Sequence, residues 1–249
     1  MSLNAEKKIR TFFNKYFYRQ HPEAALRYLP VVTEIKKAKL ENAKILEIGP
    51  GSLGITPYLH KKIEGVDIDF SGPQTDQLVK IKGSAIDLPF RKNSYDVTIS
   101  VDVIEHIPDY LREKAVLDML KVTKKLALIV VPVGVDSEKQ DKELHLHWKK
   151  IFKDKNQFLE EHVENGLPKT DEILVFIDKS LRKLGTNAKT RSYPNLNLQI
   201  RKILMLAWIT KNKYLYYFYL KGMLLFVPIL RFCNFGKTYR RVFVIEFTA

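Results

Sequence analysis

The chain has 249 residues, of which 45% are hydrophobic, enough for the core of one sizeable α/β domain. With 42 Lys and Arg against 28 Asp and Glu, its formal net charge is +14, which favours a polyanionic partner. The single cysteine, Cys233, excludes an intramolecular disulfide. No spacing typical of zinc ligands is present, so we expect no metal, and the absence of an apolar signal run after Arg10 favours a cytoplasmic protein.

The predicted elements alternate between helices and strands. Residues 1–40 are expected to form an N-terminal helical cap, with helices over 5–19 and 22–38. Strands are predicted near 44–48, 63–67, 78–82, 96–101, 126–132, 187–193 and 239–247, most of them from short apolar runs. Helices are expected to separate the strands, most clearly over 110–124. Such alternation predicts an α/β fold with a doubly wound, mostly parallel sheet.

A glycine-rich turn follows the first strand, in the stretch 45–54 that reads Ile-Leu-Glu-Ile-Gly-Pro-Gly-Ser-Leu-Gly. Glycines allow positive φ or the close approach of a ligand to the backbone. Followed by a helix from about Ile55, the turn would aim free N–H groups at a ligand above the strand ends. The second strand ends near Asp67, the position at which a carboxylate can hold a ribose diol. A ligand-free structural turn and a solvated carboxylate remain the alternatives.

Five motifs follow one another over roughly residues 40–135, which we take as the core over 41–135. They are Glu-x-Gly-x-Gly, Gly-Val-Asp, Asp-Leu-Pro-Phe, Ser-Tyr-Asp-Val and Glu-His-Ile. In this order they resemble the class I S-adenosylmethionine-dependent methyltransferases, particularly the small-molecule branch often called type 11. The resemblance implies a Rossmann-like seven-stranded sheet whose last strand is antiparallel, and S-adenosyl-L-methionine as cofactor.

The resemblance also implies cofactor contacts along these motifs. Glu47 would orient the glycine loop near the methionine amino group, and Asp67 would accept hydrogen bonds from the ribose. Ile86 and Asp87 would meet the adenine, while Ser100 and its neighbour would line the floor beneath the sulfonium. The complete implied set is Glu47, Gly49, Pro50, Gly51, Asp67, Ile68, Ile86, Asp87, Ser100 and Val101.

Two other carboxylates near these motifs favour simpler interpretations. Asp69 is expected to be solvated. Asp96 begins the fourth strand, and we expect it to cap neighbouring backbone donors rather than to touch substrate.

Three histidines are candidates for a catalytic base. His106 is expected on the loop after the fourth strand, where its alternative role is to close over the cofactor. His145 and His147 follow a charged loop predicted over 136–143, in a substrate lid assigned to residues 136–170. Two apart on a strand, they would face opposite ways, so at most one would point inward.

An apolar helical insertion is predicted over 195–236, with helices at 198–210 and 214–232. Its charge-free runs are too short to span a membrane. Three interpretations remain: packing on its own chain, formation of a homodimer, or contact with an anionic membrane surface. The last would place a lipid or lipid-linked substrate at the site.

The principal hypothesis is methyl transfer to oxygen or nitrogen of a small-molecule, glycan or lipid-linked acceptor. The enzyme would act in the cytoplasm or peripherally at the inner membrane surface. An RNA methyltransferase and a non-catalytic interaction protein with the cofactor fold remain as alternatives. A nicotinamide-dependent oxidoreductase is disfavoured, because Asp-Leu-Pro-Phe and Glu-His-Ile have no role there.

Overall fold

One mixed sheet organises residues 21–248, the part of the chain that the computed structural model describes. The helix predicted over 5–19 lies outside this range. In chain order the strands are β1 (Ile45–Ile48), β2 (Ile63–Asp67), β3 (Leu78–Lys82), β4 (Tyr95–Val101), β5 (Thr123–Pro132), β6 (Ala188–Asn197) and β7 (Thr238–Phe247). Each overlaps a predicted strand. The central strands β1, β4 and β5 are largely buried and read as apolar runs, whereas most residues of the edge strands β3 and β6 are half-buried or exposed.

The strand order β3-β2-β1-β4-β5-β7-β6 reverses direction between β1 and β4. All neighbours pair in parallel except β7, which is antiparallel to both β5 and β6. This confirms the expected fold class. At the reversal Ile48 lies beside both Val66 and Ser100, so the carboxyl ends of β2, β1 and β4 are adjacent. In a doubly wound sheet, ligands bind in the crevice at this point.

Helices cover both faces of the sheet. They are α1 (Pro22–Lys37), α2 (Thr56–Leu59), α3 (Asp109–Val122), α4 (Val135–Phe152), α5 (Gln157–Asn165), α6 (Thr170–Leu184), α7 (Leu198–Trp208), α8 (Lys213–Tyr217) and α9 (Val227–Leu230). Residues of β5 alternate between two cores: Leu126 and Leu128 face α1 and the 198–230 region, while Ala127 and Ile129 face α3 and α6.

Two predictions between strands were wrong. No helix separates β2 from β3 or β3 from β4; both connections are turns, the first containing Gly72 at φ +100° followed by Pro73. The charged loop expected over 136–143 is instead the first half of α4. Its buried face carries Ser137, Gln140 and Asp141, so hydrophobic periodicity could not reveal it.

The helix predicted over 214–232 is broken into short turns. After α8 the chain passes through a π-helical turn, Phe218–Gly222, and a 3₁₀ turn, Met223–Phe226, before α9. A side chain at Gly222 would meet the Phe218 ring at 2.6 Å, so glycine permits the tight π turn. Within residues 21–248, no helix is long and apolar enough to cross a membrane.

A buried ion cluster ties α1 and β7 to the end of β4. Arg240 of β7 donates to Asp102 Oδ1 at 2.7 Å from its Nε and also bonds Glu23 of α1. Arg27 of α1 donates to Asp102 Oδ2 at 2.9 Å. Burial alone would raise the pKa of Asp102, but the two guanidinium groups hold it well below its usual range. The charges of two carboxylates, Asp102 and Glu23, are therefore balanced by the two guanidinium groups.

Removal of the Arg240 guanidinium should test how much this charge balance contributes to stability. We expect Arg240→Met to lower the free energy of unfolding by about 3–5 kcal/mol, because Asp102 and Glu23 would stay buried without sufficient counter-charge. The neighbouring Arg241→Met, which loses only hydrogen bonds to Ser192 Oγ, should cost about 0.5–1.5 kcal/mol. Urea denaturation of both variants at neutral pH checks this. Equal, small losses would contradict it.

Candidate cofactor and acceptor site

Glu47 is a fully buried carboxylate that links three elements. Its Oε1 accepts from the Tyr28 hydroxyl of α1 at 2.9 Å, and its Oε2 accepts from the Ile55 N–H at 2.8 Å, beyond the glycine loop. Burial raises the pKa of Glu47 to about 7, even though these two hydrogen bonds favour the ionised form. The arrangement supports the predicted role of Glu47 in orienting the loop.

The loop after β1 is pressed against the strand ends. A side chain at Gly49 would lie 2.3 Å from Val103 Cγ2, and one at Gly54 would lie 2.1 Å from Glu47 Oε2, and both glycines have positive φ. Pro50 is buried, and its carbonyl accepts from the Gly54 N–H at 3.0 Å. Gly51, by contrast, has open space where a Cβ would project. A ligand can therefore approach the backbone closely at Gly51.

Asp67 ends β2 directly beside this loop. Its Oδ2 accepts from the Gly51 N–H at 2.8 Å, and its Oδ1 accepts from the Asp69 N–H at 3.1 Å. Ile68, which follows it, is 72% exposed. The exposed carboxylate of Asp69 accepts from Ser71, in agreement with the solvated role expected for it. Asp67 is thus placed to contact both the loop and a ligand above it.

The remaining predicted contacts lie around the ends of β3 and β4. Ser100 and Ala85 line one small cavity, which places the 84–87 turn beside the end of β4. Within this turn Ile86 and Asp87 are held by Ser84, whose carbonyl accepts from the Asp87 N–H at 3.1 Å. Val101 is buried next to Ser100. The ten predicted cofactor residues therefore surround one edge of the sheet.

An open cleft of about 410 Å³ lies between the glycine loop, α1 and the π-helical turn. Ser52 and Leu53 of the loop, Arg27 and Leu220 contribute to its lining. So does His21, which sequence reasoning missed. Its Nδ1 accepts from the Ala24 N–H at 3.3 Å, so the neutral ring carries its proton on Nε2. Burial lowers the pKa of His21 to about 4, so the ring is neutral at pH 7.

His106 ends a 3₁₀ turn, Ile104–His106, directly after β4, as predicted for a loop at this point. Its Nδ1 lies 2.7 Å from Glu161 Oε2, and its Nε2 lies 3.4 Å from Nε2 of His162 on α5. Burial and the neighbouring His162 lower the pKa of His106 to about 4, against the opposing effect of Glu161. His106 is therefore neutral at pH 7, as a base must be.

His145 and His147 lie on α4, not on a strand in a lid, so the physical argument about their directions was wrong. Two positions apart on a helix, they are about 200° apart around its axis. His145 is buried, with Lys149 and Glu160 among its charged neighbours, while His147 is half-buried. Among residues 21–248, neither forms a hydrogen bond with the glycine loop or with His106. Their catalytic role stays a prediction.

Asp96 has the structural role expected of it. Its Oδ2 accepts from the Lys44 N–H at 3.2 Å and its Oδ1 pairs with Lys125 at 3.0 Å, at the amino end of β4 and far from the strand ends that carry the site.

Comparisons with known proteins agree with this geometry. Residues 46–131 match the family described as methyltransferase domain. No curated protein shows significant sequence similarity to the chain. In structure the chain is similar to magnesium protoporphyrin IX methyltransferase from Synechocystis PCC 6803, solved with bound S-adenosylhomocysteine, with a TM-score of 0.51 and 12% identity over 89% of this chain and 82% of that one.

A second similar structure is phosphoethanolamine N-methyltransferase 2 from Haemonchus contortus, with a TM-score of 0.46 and 17% identity over 82% of this chain and 49% of that one. At these identities the likenesses concern the fold. Together with the family match, the fold and the site define an S-adenosylmethionine-dependent enzyme. The chain carries a class I methyltransferase domain, and its cofactor is S-adenosylmethionine.

Asp67 offers the sharpest test of the cofactor contacts. We expect Asp67→Ala to weaken S-adenosylhomocysteine binding by at least about ten- to a hundred-fold, because a charged hydrogen-bond acceptor contributes about 1.5–3 kcal/mol. Loss of the Gly51 contact would add to the effect. Calorimetric titration measures the affinity. Asp69→Ala, two residues away, is the matched control and should bind normally; equal affinities for all three proteins would sink the assignment.

Glu47 should give stability a distinct pH dependence. Because its folded pKa is raised from 4.5 to about 7, the stabilisation from its neutral form is complete below pH 4.5 and is lost as the pH rises through 7. The free energy of unfolding of wild type minus that of Glu47→Gln should therefore fall by roughly 3 kcal/mol across this range. Urea denaturation at several pH values measures the difference. A difference independent of pH contradicts the prediction.

Proposed function

We propose that the enzyme methylates oxygen or nitrogen of a lipid-linked acceptor while it is bound at an anionic membrane surface. Of the acceptor classes compatible with the sequence, a lipid-linked one agrees best with the surface beside the cleft. The observation that carries the proposal is the exposure of residues 213–235, here called the aromatic segment.

The aromatic segment exposes more apolar surface than a water-facing loop requires. Tyr219, Leu224 and Val227 are each 1% exposed and anchor the segment in the core shared with α1. Before, between and after these anchors, large side chains project outward with exposures of 43–76%: Tyr214, Leu215, Tyr217, Phe218, Leu225, Phe226, Ile229, Phe232 and Phe235. Contiguous apolar exposure of this kind marks an interaction surface in a monomeric protein.

The charge of this region favours an anionic partner. Residues 198–237 contain seven Lys or Arg and no Asp or Glu. Arg201, Lys202 and Lys237 are paired with acids elsewhere in the chain. Lys211 and Lys213 lie beside the exposed aromatics instead. Basic side chains flanking aromatic ones are typical of a surface that rests on anionic lipid headgroups.

The aromatic segment is also continuous with the cleft. Leu220 and Lys221, in its π-helical turn, line the cleft together with Ser52 and Leu53 of the glycine loop. A headgroup entering the cleft would thus reach the cofactor site while its apolar chain stayed on the aromatic surface. This path supports an acceptor that is polar at one end and lipidic at the other.

For methyl transfer, the protein mainly has to position the acceptor. Bound S-adenosylmethionine supplies an activated methyl group for in-line displacement at its sulfonium. Holding the acceptor in line and excluding water can supply about 7–11 kcal/mol of the barrier. The strand ends and the cleft provide such an edge, and neutral His106 lies at it.

Vesicle flotation tests the surface. The full chain should bind phosphatidylglycerol-containing vesicles more strongly than phosphatidylcholine vesicles, and less strongly as salt rises. The double variant Tyr217→Ser/Phe232→Ser should bind roughly a hundred-fold more weakly, because two large side chains no longer enter the interface. Tyr110→Ser, which removes an equally exposed aromatic from α3, is the matched control and should bind as wild type does.

Transfer of a labelled methyl group tests the acceptor. Label from S-adenosylmethionine should enter the organic phase of a lipid extract and should depend on the aromatic segment. Label confined to a water-soluble glycan, a small molecule or RNA would overturn the lipid-linked acceptor. Dimer formation that the double variant abolishes, without vesicle binding, would assign the surface to a homodimer; steeply salt-dependent RNA binding would favour an RNA methyltransferase.

A further inference from the structure

We infer that Glu105, His106 and His162 form a binding site for one divalent transition-metal ion at the carboxyl end of β4. One carboxylate oxygen and one ring nitrogen from each histidine lie within 4.8 Å of one another. This inference departs from the metal-free site expected from the sequence, where His162 stands 56 residues from His106 and shows no ligand spacing.

The hydrogen bonds fix which histidine nitrogens face the centre. His162 Nδ1 lies 2.9 Å from Asp141 Oδ2, and His106 Nδ1 lies 2.7 Å from Glu161 Oε2. Since a carboxylate only accepts, each Nδ1 must carry the proton. The two Nε2 atoms, which are 3.4 Å apart, are therefore the ring atoms left to bind an ion, and in the metal-bound state each would present its lone pair to it.

Glu105 completes the set of acceptors. Its side chain is 0% exposed, and neither carboxylate oxygen has a hydrogen-bond partner within the described chain. Oε1 lies 3.9 Å from His162 Nε2. An unpaired buried carboxylate is expensive. Arg240 and Arg27 do not hydrogen-bond to it, because they donate to Asp102 and Glu23 instead. A cation bound to Glu105 and both rings would satisfy all three groups.

A second layer of contacts holds the ligands as metal sites require. Metal-binding histidines characteristically donate their other N–H to a carboxylate, which fixes the ring orientation. Asp141 has this role for His162, and is itself held by the Tyr239 hydroxyl at 2.7 Å and by Arg201 at 2.6 Å. Glu161 has it for His106. Both second-layer carboxylates are therefore present and oriented before any ion arrives.

The donor set favours zinc or a neighbouring transition metal over magnesium. Imidazole suits Zn²⁺, Fe²⁺ and Co²⁺, whereas Mg²⁺ prefers oxygen ligands. Ligand atoms at about 2.0–2.2 Å from a metal stand roughly 3–3.5 Å apart. The two Nε2 atoms already have this spacing, and a small movement of the Glu105 side chain would bring its oxygen in. Three protein ligands leave a position for water or an acceptor oxygen, whose pKa the metal would lower.

Metal titration of the full chain tests the site directly and does not depend on the acceptor. After dialysis against EDTA, the protein should bind one equivalent of Zn²⁺ by calorimetry and give the visible absorption of Co²⁺ bound by nitrogen and oxygen. Glu105→Gln and His162→Gln should each lower the Zn²⁺ affinity at least a hundred-fold. Circular dichroism and thermal melting establish that each variant is folded.

A surface pair keeps the test decisive if those buried variants fail to fold. Glu161→Gln removes the carboxylate that orients His106 and should weaken Zn²⁺ ten- to a hundred-fold. Glu160→Gln, the same change one position earlier on α5, removes only a surface pair with Lys155 and should leave the affinity unchanged. Absence of a bound equivalent in wild type, or equal binding by Glu161→Gln and Glu160→Gln, would overturn the site.

Discussion

The placement of the whole site depends on one buried carboxylate, that of Asp102. It follows β4 in a left-handed conformation, φ +52°, which aspartate tolerates better than most residues. In this position it receives Arg27 from the first described helix and Arg240 from the last strand. These two ion pairs close α1 over the carboxyl edge of the sheet. They also fix the start of the turn that presents Glu105 and His106.

The sequence predicted the elements whose buried side chains are apolar and missed the helix whose buried side chains are largely polar. The central strands β1, β4 and β5 are largely buried and read as apolar runs, so they were found within a few residues. Helix α4 escaped because Ser137, Gln140 and Asp141 occupy its buried face. Short-range constraints such as Gly72-Pro73 replaced an expected helix by a turn. The spacing of apolar residues reveals which apolar side chains are buried, but it cannot reveal buried polar side chains.

The candidate site also has a part that the sequence predicted and a part that it did not. The predicted cofactor residues lie in the last residues of the strands or in the turns that follow, so their proximity is a consequence of topology, which local motifs reveal. The groups that hold them come from far along the chain: Arg240 lies 138 residues from Asp102, and His162 lies 56 from His106. Arginine in the otherwise apolar run of β7 was a usable signal of a buried ion pair. Nothing in the sequence around His162 gave a comparable one.

Charge connects the interior with the proposed surface. Inside, Asp102 and Glu23 balance Arg27 and Arg240, and Asp141 balances Arg201, so the buried clusters leave little net charge. The positive excess of residues 21–248 must therefore lie mainly at the surface. Within residues 198–237, Lys211 and Lys213 lie beside aromatic side chains that the core does not accept. Water solvates such lysines well but not such aromatics, whereas an anionic lipid interface favours both at once.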